Sequence, residues 1–293
     1  MKVHLLDGTY ELFRYFYGTP SHVTAAGEEV AAVRGVVGST LSMLSEGVTH
    51  VGVATDHVIE SFRNDLWPGY KTSAGMDPLL LGQFNLLEDV LSALGVAVWA
   101  MVEREADDAL GSAALVAAAD PAVEQVVICT PDKDLGQCVV GTRVIQLDRR
   151  RGIVLDEAGV AAKFGVPPAS IPDYLALVGD SADGFPGIKG FGAKTAAAVL
   201  TRYGHIDDIP DAPGQWDVPV RSIPTLAASL RESRHHAALF KDLATLRTDP
   251  PVIAAVEELR WTGPTAEFAQ LCRRIDAAQF ASRAAALAKA RKN

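Results

Sequence analysis

Short runs rich in valine, isoleucine and leucine alternate with alanine- and leucine-rich stretches in the first half of the chain, and this alternation most constrains the fold. The short runs suit buried strands and the longer stretches suit helices, so their order predicts an α/β fold with a largely parallel sheet. The predicted strands are 3–6, 50–55, 97–101, 125–130 and 143–146. The predicted helices are 33–45, 78–94, 106–119 and 132–140.

Acidic residues flank or follow these runs more often than folding alone requires. Nine carboxylates share this placement: Asp7, Asp56, Glu105, Asp107, Asp108, Asp132, Asp134, Asp180 and Asp183. In open α/β sheets, ligands bind beyond the carboxyl ends of the strands, so one cleft is expected to collect these side chains. Converging carboxylates repel one another unless cations lie among them. The pattern therefore predicts a site for more than one metal ion.

Each acidic motif also has a structural interpretation. Asp107 and Asp108 would stabilise the start of a helix, and Asp132 could be an ordinary N-cap. The segment 180–184 lacks the alternating acids of an EF-hand calcium loop, and no Glu stands at the twelfth position, which excludes that motif. Singly, these acids are better explained as helix starts, but their equivalent positions in several segments favour metal binding.

Beyond residue 152 the alternation fades, and proline and glycine become frequent. Helices are predicted at 173–178 and 193–202, an irregular proline-rich connection at 207–224, and one or two closing helices at 265–292. The sequence therefore predicts an α/β domain at 1–152 and a helical lobe at 153–293.

The net charge of −9 does not exclude a nucleic-acid partner. Proteins of that class usually carry a basic face, but setting aside the nine carboxylates brings the formal balance to zero. The three cysteines lack the spacing of a disulfide framework or a zinc site. The cysteine set favours a reducing compartment, the N-terminus is unlike a secretory signal, and no apolar stretch approaches the roughly 20 residues of a membrane span. A cytoplasmic protein without a membrane partner is therefore expected.

A glycine-rich segment at 187–195 suggests a turn that binds phosphate. A Walker A loop would need glycine where Ala193 stands, and a dinucleotide fingerprint would need glycine at Thr195, so neither motif fits. A helix-hairpin-helix turn does fit, with the amides around Gly190 and Gly192 facing a nucleic-acid backbone. A tight interhelical turn without a ligand is an equal alternative.

In their order and spacing, these motifs resemble the flap endonuclease and 5′–3′ exonuclease family, which includes the nuclease domain preceding bacterial family A DNA polymerases. The resemblance runs from residue 5 to residue 249 and rests on Asp56 with 61–63 and 70–71, on 105–108, on 130–134 and on 179–187. It implies a PIN-like domain with a helical arch at about 60–95 and a helix-hairpin-helix motif at about 173–203. One position departs from the family: Ala74 stands where an arginine usually follows Lys71.

The resemblance also implies a function in DNA replication and repair. A stand-alone, structure-specific 5′-nuclease is expected to hydrolyse phosphodiesters by a two-metal mechanism. Its expected substrates are DNA with 5′ flaps, nicks or 5′ ends, and RNA–DNA hybrid primers; protein partners are not indicated. Oxygen-only ligands favour Mg²⁺ or Mn²⁺, and K⁺ is a further expectation at the hairpin turn.

By the same resemblance, individual residues receive roles. Asp7, Asp56, Glu105 and Asp107 are assigned mainly to the first metal, Asp132 and Asp134 to both, Asp180 and Asp183 mainly to the second, and Asp108 to an outer position or a third site. Lys71 is assigned as the catalytic cation at the scissile phosphate. The predicted DNA contacts are Arg14, Arg63, Tyr70, Lys71, Gly187, Lys189, Gly190, Gly192 and Lys194. Salt bridges for the two arginines and core packing for Tyr70 are the alternatives.

Two other functions fit the same pattern less well. A DNA-structure-binding protein without catalytic activity would not need all nine acids. A metal-dependent RNase of PIN-like architecture would not need the hairpin or the long insertion between Asp56 and Glu105.

Overall fold

The computed structural model describes residues 1–292. Its strands are β1 (Lys2–Asp7), β2 (His50–Asp56), β3 (Ala97–Met101), β4 (Gln125–Cys129), β5 (Val144–Asp148) and β6 (Ile153–Leu155). Its α-helices are α1 (Gly8–Gly18), α2 (Ala31–Ser45), α3 (Phe62–Leu66), α4 (Pro78–Leu81), α5 (Gln83–Leu94), α6 (Ala106–Ala119), α7 (Glu157–Phe164), α8 (Ile171–Val178), α9 (Ala193–Tyr203), α10 (Ile223–Glu232), α11 (Arg234–Ala244), α12 (Phe268–Arg274) and α13 (Ala278–Lys292). None of these helices combines the length and the apolar composition needed to cross a membrane.

The chain divides into two compact units, and neither is a single continuous segment. The first unit holds 1–59, 73–130 and the described residues from 248 onward, whereas the second holds 60–72 and 131–247. This division differs from the predicted boundary at 152/153. The reason is that α12 packs on α5 and α13 packs on α2, so the end of the chain returns to the first unit.

A parallel sheet with the strand order β3-β2-β1-β4 forms the centre of the first unit. Every residue of β2 is buried, as expected for a central strand of a parallel sheet. The register pairs Asp7 with Ala54 and Asp56 with Met101, so the strands deliver both aspartates to the same edge. The prediction of a mostly parallel α/β fold is confirmed.

Helices of the first unit pack along this sheet, with α6 against β1, β2 and β4. The predicted helix 78–94 is divided at Gly82 into α4 and α5. The leucines of α5 are buried, Leu87 and Leu91 completely, so α5 is a core helix of the first unit. The predicted helix 132–140 forms only a 3₁₀ turn, Asp134–Cys138.

The second unit is mainly helical and has its own apolar core. Buried residues of α8, α9, α10 and α11 form this core, and the rings of Phe185 and Phe240 stack in it with centroids 5.4 Å apart. β5 and β6 form an antiparallel pair in the same unit. The two predicted helices of the hairpin region, 173–178 and 193–202, correspond to α8 and α9.

Candidate metal centre and nucleic-acid contacts

Asp7 links the end of β1 to the start of α1. Its Oδ1 accepts a hydrogen bond from the Tyr10 amide at 2.8 Å, and its Oδ2 accepts one from Thr130 Oγ1 at 2.8 Å. The helix starts directly after the strand because Gly8 allows close packing: a Cβ there would lie 2.7 Å from the Ala54 carbonyl oxygen. The carboxylate is therefore buried and held by two donors.

Asp56 ends β2 and points at the first turn of α6. Its Oδ1 accepts a hydrogen bond from the Ala106 amide at 2.7 Å. Glu105 is the N-cap of α6, and its amide donates to Asp108 Oδ2 at 3.1 Å in a capping box. Asp107, in the same turn, is half-buried. The helix-start interpretation of Asp107 and Asp108 agrees with their place in the first turn of α6, where the positive end of the helix stabilises negative charge.

A second acidic group lies within the second unit. Asp134, Asp180 and Asp183 are all buried, and one carboxylate oxygen from each lies within 4.8 Å of those of the other two. The loop that carries Asp180 and Asp183 closes on itself, with the Asp180 amide donating to the Phe185 carbonyl at 2.8 Å. Asp132 is exposed, and its Oδ1 accepts a hydrogen bond from the Asp134 amide at 3.0 Å.

Two lysines accompany the acids of the second unit. Lys71 Nζ lies 3.0 Å from Asp183 Oδ1, and Lys133 Nζ lies 2.6 Å from Asp180 Oδ2. The Lys71 amide also donates to the Asp183 carbonyl at 3.0 Å, which fixes the backbone of that lysine beside the acid. Burial lowers the pKa of Lys133, but its hydrogen bond and charge interaction with Asp180 outweigh this and raise it. No function is predicted for Lys133 from the sequence, although its position between the predicted metal ligands Asp132 and Asp134 indicates that it lies near the acids.

Asp134 is the member of this group whose charge is least compensated. Within residues 1–292, its Oδ1 is buried and has no hydrogen-bond partner. Burial raises the pKa of Asp134 well above its usual range, and the negative charges of Asp132 and Asp183 add to this, opposed by Lys71. A buried carboxylate oxygen without a partner, surrounded by other carboxylates, suits a hard divalent cation with oxygen ligands.

Three predicted DNA contacts have other partners in the structure. Arg63 is buried and donates to the carbonyls of Leu243 at 2.8 Å and Thr245 at 3.2 Å, so its assignment as a phosphate contact is corrected to a structural one. Arg14 pairs with Glu11, as the salt-bridge alternative required. Tyr70 is buried in the apolar core of the second unit, which agrees with core packing and leaves little ring surface for a base.

The remaining predicted DNA contacts lie at the hairpin turn between α8 and α9. Gly187 and Gly190 adopt φ values of +72° and +94°, which only glycine takes without strain. Gly192 is the N-cap of α9 and provides no side-chain cap. Lys189 and Lys194 are exposed on either side of it. The turn between α8 and α9 therefore presents positive charge and the first amides of a helix.

Comparison with known protein families identifies the chain. The model described as the 5′-3′ exonuclease N-terminal resolvase-like domain matches residues 2–165, and that of the 5′-3′ exonuclease C-terminal SAM fold matches residues 166–267. This chain belongs to the 5′-3′ exonuclease family. The predicted family resemblance is thus confirmed.

Relatives in the 5′-3′ exonuclease family include longer and similar-sized proteins. DNA polymerase I of Pseudomonas aeruginosa is 35% identical over 265 residues, which cover 87% of this chain and 28% of the polymerase. The chain thus spans about a quarter of the length of the polymerase relatives it matches. A 5′-3′ exonuclease of Aquifex aeolicus is 31% identical over 265 residues, covering 89% of this chain and 87% of that protein.

Solved structures show the same fold. A T5 5′-exonuclease with bound zinc ions superimposes with a TM-score of 0.66 at 17% identity, covering 98% of this chain and 100% of the other. The catalytic core of Rad2 in complex with a DNA substrate gives a TM-score of 0.64 at 13% identity, covering 98% and 92%. These matches confirm the predicted PIN-like architecture.

Proposed function

We propose that this protein is a divalent-metal-dependent DNA 5′-nuclease that acts as a flap endonuclease and 5′–3′ exonuclease in replication and repair. Family membership supports the reaction class. The observation that carries the proposal is the buried group of Asp134, Asp180 and Asp183 with the Lys71 ammonium at 3.0 Å from one of its oxygens. Acids that bind metal beside a cation that binds phosphate are the parts that phosphodiester hydrolysis requires.

Two sets of acids are proposed as metal ligands. Asp7, Asp56, Glu105 and Asp107 form the first set, with Asp108 in an outer role because its carboxylate caps α6. Asp132, Asp134, Asp180 and Asp183 form the second set. All donors are oxygens, which favours Mg²⁺ or Mn²⁺ for this chain. Bound divalent cations supply Lewis acidity and an activated water, the chemistry that a stable phosphodiester needs.

Lys71 is proposed to bind a non-bridging oxygen of the scissile phosphate. Its backbone is tied to Asp183, and its side chain is only partly exposed, so the ammonium is held in place before substrate arrives. A cation fixed in advance stabilises the charge that develops in the transition state without a cost of reorganisation. Lys71 is therefore expected to contribute to rate more than to affinity.

The hairpin is proposed to hold the duplex through its backbone. Amides at the start of α9 and the exposed Lys189 and Lys194 suit phosphate oxygens, which carry no sequence information. Flapped, nicked and 5′-ended DNA are the proposed substrates, RNA–DNA hybrid primers are a further one, and K⁺ is proposed at the turn. The Rad2 core in complex with a DNA substrate supports DNA as the proposed partner.

Cleavage of matched substrates tests the proposal. The protein is incubated with a 5′-flapped DNA, an RNA of the same flap structure and a DNA hairpin without a free 5′ end, each in Mn²⁺ and in EDTA. We expect cleavage near the flap junction in Mn²⁺ and none in EDTA. We also expect the DNA flap to be cleaved in preference to the RNA flap. Binding of the flap without cleavage would favour a DNA-structure-binding protein, and preferred cleavage of the RNA would favour an RNase.

A further inference from the structure

Glu88 is a buried acid on α5 whose two oxygens bind two residues of one strand end. Its Oε1 accepts a hydrogen bond from Thr55 Oγ1 at 2.6 Å, and its Oε2 lies 2.7 Å from His57 Nδ1. Since an ionised carboxylate only accepts, Nδ1 carries the proton. The Glu88 side chain is 10% exposed, and Thr55 is fully buried. A carboxylate in such a position is costly unless its oxygens are satisfied.

Thr55 and His57 are the two neighbours of Asp56. Adjacent side chains of a strand point to opposite faces, and Thr55 and Asp56 are the last two residues of β2. His57 follows the strand and contacts the same Glu88 side chain as Thr55. Glu88 therefore holds the end of β2 from the face opposite to the Asp56 carboxylate. That carboxylate accepts from the Ala106 amide of α6, while the Asp56 amide donates to Thr9 Oγ1 of α1 at 2.8 Å. Helices α1 and α6 thus contact Asp56 itself, and α5 contacts the residues on either side of it.

We propose that Glu88 is a positioning residue that orients Asp56 for a divalent cation, acting through Thr55 and His57. The proposal rests on the assignment of Asp56 as a metal ligand in the proposed function. A metal ligand must be held to within a fraction of an ångström, and the end of a strand is otherwise free to move. Loss of such an outer partner typically lowers metal affinity or activity by about 10- to 100-fold.

Four substitutions separate positioning from simple stabilisation. Glu88→Ala removes both contacts, whereas Glu88→Gln keeps the shape, an acceptor for Thr55 and, with the other tautomer, a partner for His57. Thr55→Val removes one contact with an isosteric side chain. Thr40→Val is the matched control, because Thr40 is also fully buried in the first unit and also donates one hydrogen bond, to the Val36 carbonyl at 2.9 Å.

Mn²⁺ binding to DNA-free protein, followed by the EPR signal of the free ion, is the main measurement, with the melting temperature in EDTA beside it. We expect Glu88→Ala to weaken binding about 10-fold or more at the site that Asp56→Asn also weakens. Thr55→Val should act in the same direction, and Glu88→Gln should restore most of the affinity. Thr40→Val should lower the melting temperature and leave Mn²⁺ affinity within about twofold.

A double-mutant cycle decides whether Glu88 acts through Asp56. In the Asp56→Asn background, Glu88→Ala should weaken Mn²⁺ binding by less than about twofold, because the ligand it orients is already lost. An equal loss in both backgrounds, or unchanged affinity in folded Thr55→Val, would overturn the proposal. Flap cleavage by the parent protein is measured separately. A parent that binds Mn²⁺ but does not cleave DNA would refute the proposed function. The double-mutant cycle would still decide the role of Glu88.

Discussion

Replacing Asp134 with asparagine should stabilise the metal-free protein while removing its metal-dependent function. At an effective dielectric constant of 20, two like charges 4.8 Å apart repel by about 3.5 kcal/mol. Lysines pair with the other two acids at 3.0 Å and 2.6 Å, so most of the repulsion between these acids is offset. The charge of Asp134 is the least compensated of the three, and its removal should raise the free energy of unfolding in EDTA by about 1–3 kcal/mol. For a chain of this size, that is an increase in melting temperature of about 2–6 °C.

The sign of the pH dependence follows from the raised pKa of Asp134, which burial causes first and neighbouring acids second. An acid whose pKa in the folded state exceeds its unfolded value, about 3.9, does not lower the free energy of unfolding when the pH is below about 3.9. Its cost then grows as pH rises toward the folded pKa and is complete above it. The advantage of Asp134→Asn should therefore be absent in acid and increase as pH rises.

Thermal unfolding of parent and variant in EDTA and in saturating Mn²⁺ measures this difference. Mn²⁺ at 100 times its dissociation constant should stabilise the parent by about 2.7 kcal/mol and the variant by much less, so the variant's advantage in EDTA should be lost or reversed in Mn²⁺. Asp156→Asn is the control, since Asp156 caps α7 in the same unit and asparagine caps equally well. A variant less stable than the parent in EDTA, or equally stabilised by Mn²⁺, would refute the reasoning.

Three further variants test the lysines. Lys71→Ala should lower the single-turnover cleavage rate about 100-fold or more and change flap affinity little, because its charge acts on the transition state; an unchanged rate would place the electrophile elsewhere. Lys133→Met should lower the half-saturating Mn²⁺ concentration severalfold, since its ammonium competes for Asp180, whereas a higher value would mean that it assists binding. Lys189→Ala combined with Lys194→Ala should reduce the salt slope of duplex binding by about one per lysine, and an unaltered slope would exclude both from the footprint.

Much of the first unit could be predicted from the sequence because its information is local. Each strand is a short apolar run, and parallel strands align their carboxyl ends, so the sequence predicts Asp7 and Asp56 at one edge, where the structure has them. The start of α6 was equally clear, because Asp107 and Asp108 are typical of a first helical turn. Local signals of this kind do not depend on distant neighbours.

Other features depend on residues far apart in the chain. Arg63 follows an aromatic residue between the predicted strand 50–55 and the predicted helix 78–94, and nothing in that stretch indicates that its guanidinium is buried against the carbonyls of Leu243 and Thr245. The pairing of Lys133 with Asp180 and of Glu88 with Thr55 and His57 also joins segments distant in sequence. Periodicity identifies a buried face but does not identify the partner that lies on it.

The central claim, that buried acids make this chain a metal-dependent 5′-nuclease, is tested most directly with Asp183→Asn. Single-turnover cleavage and equilibrium binding of the same 5′-flapped DNA are measured for parent and variant in saturating Mn²⁺. The substitution keeps the size of the side chain and removes its charge, so cleavage should fall by at least about 100-fold while flap binding stays within a few-fold of the parent. Cleavage by the variant at close to the parent rate would contradict the account.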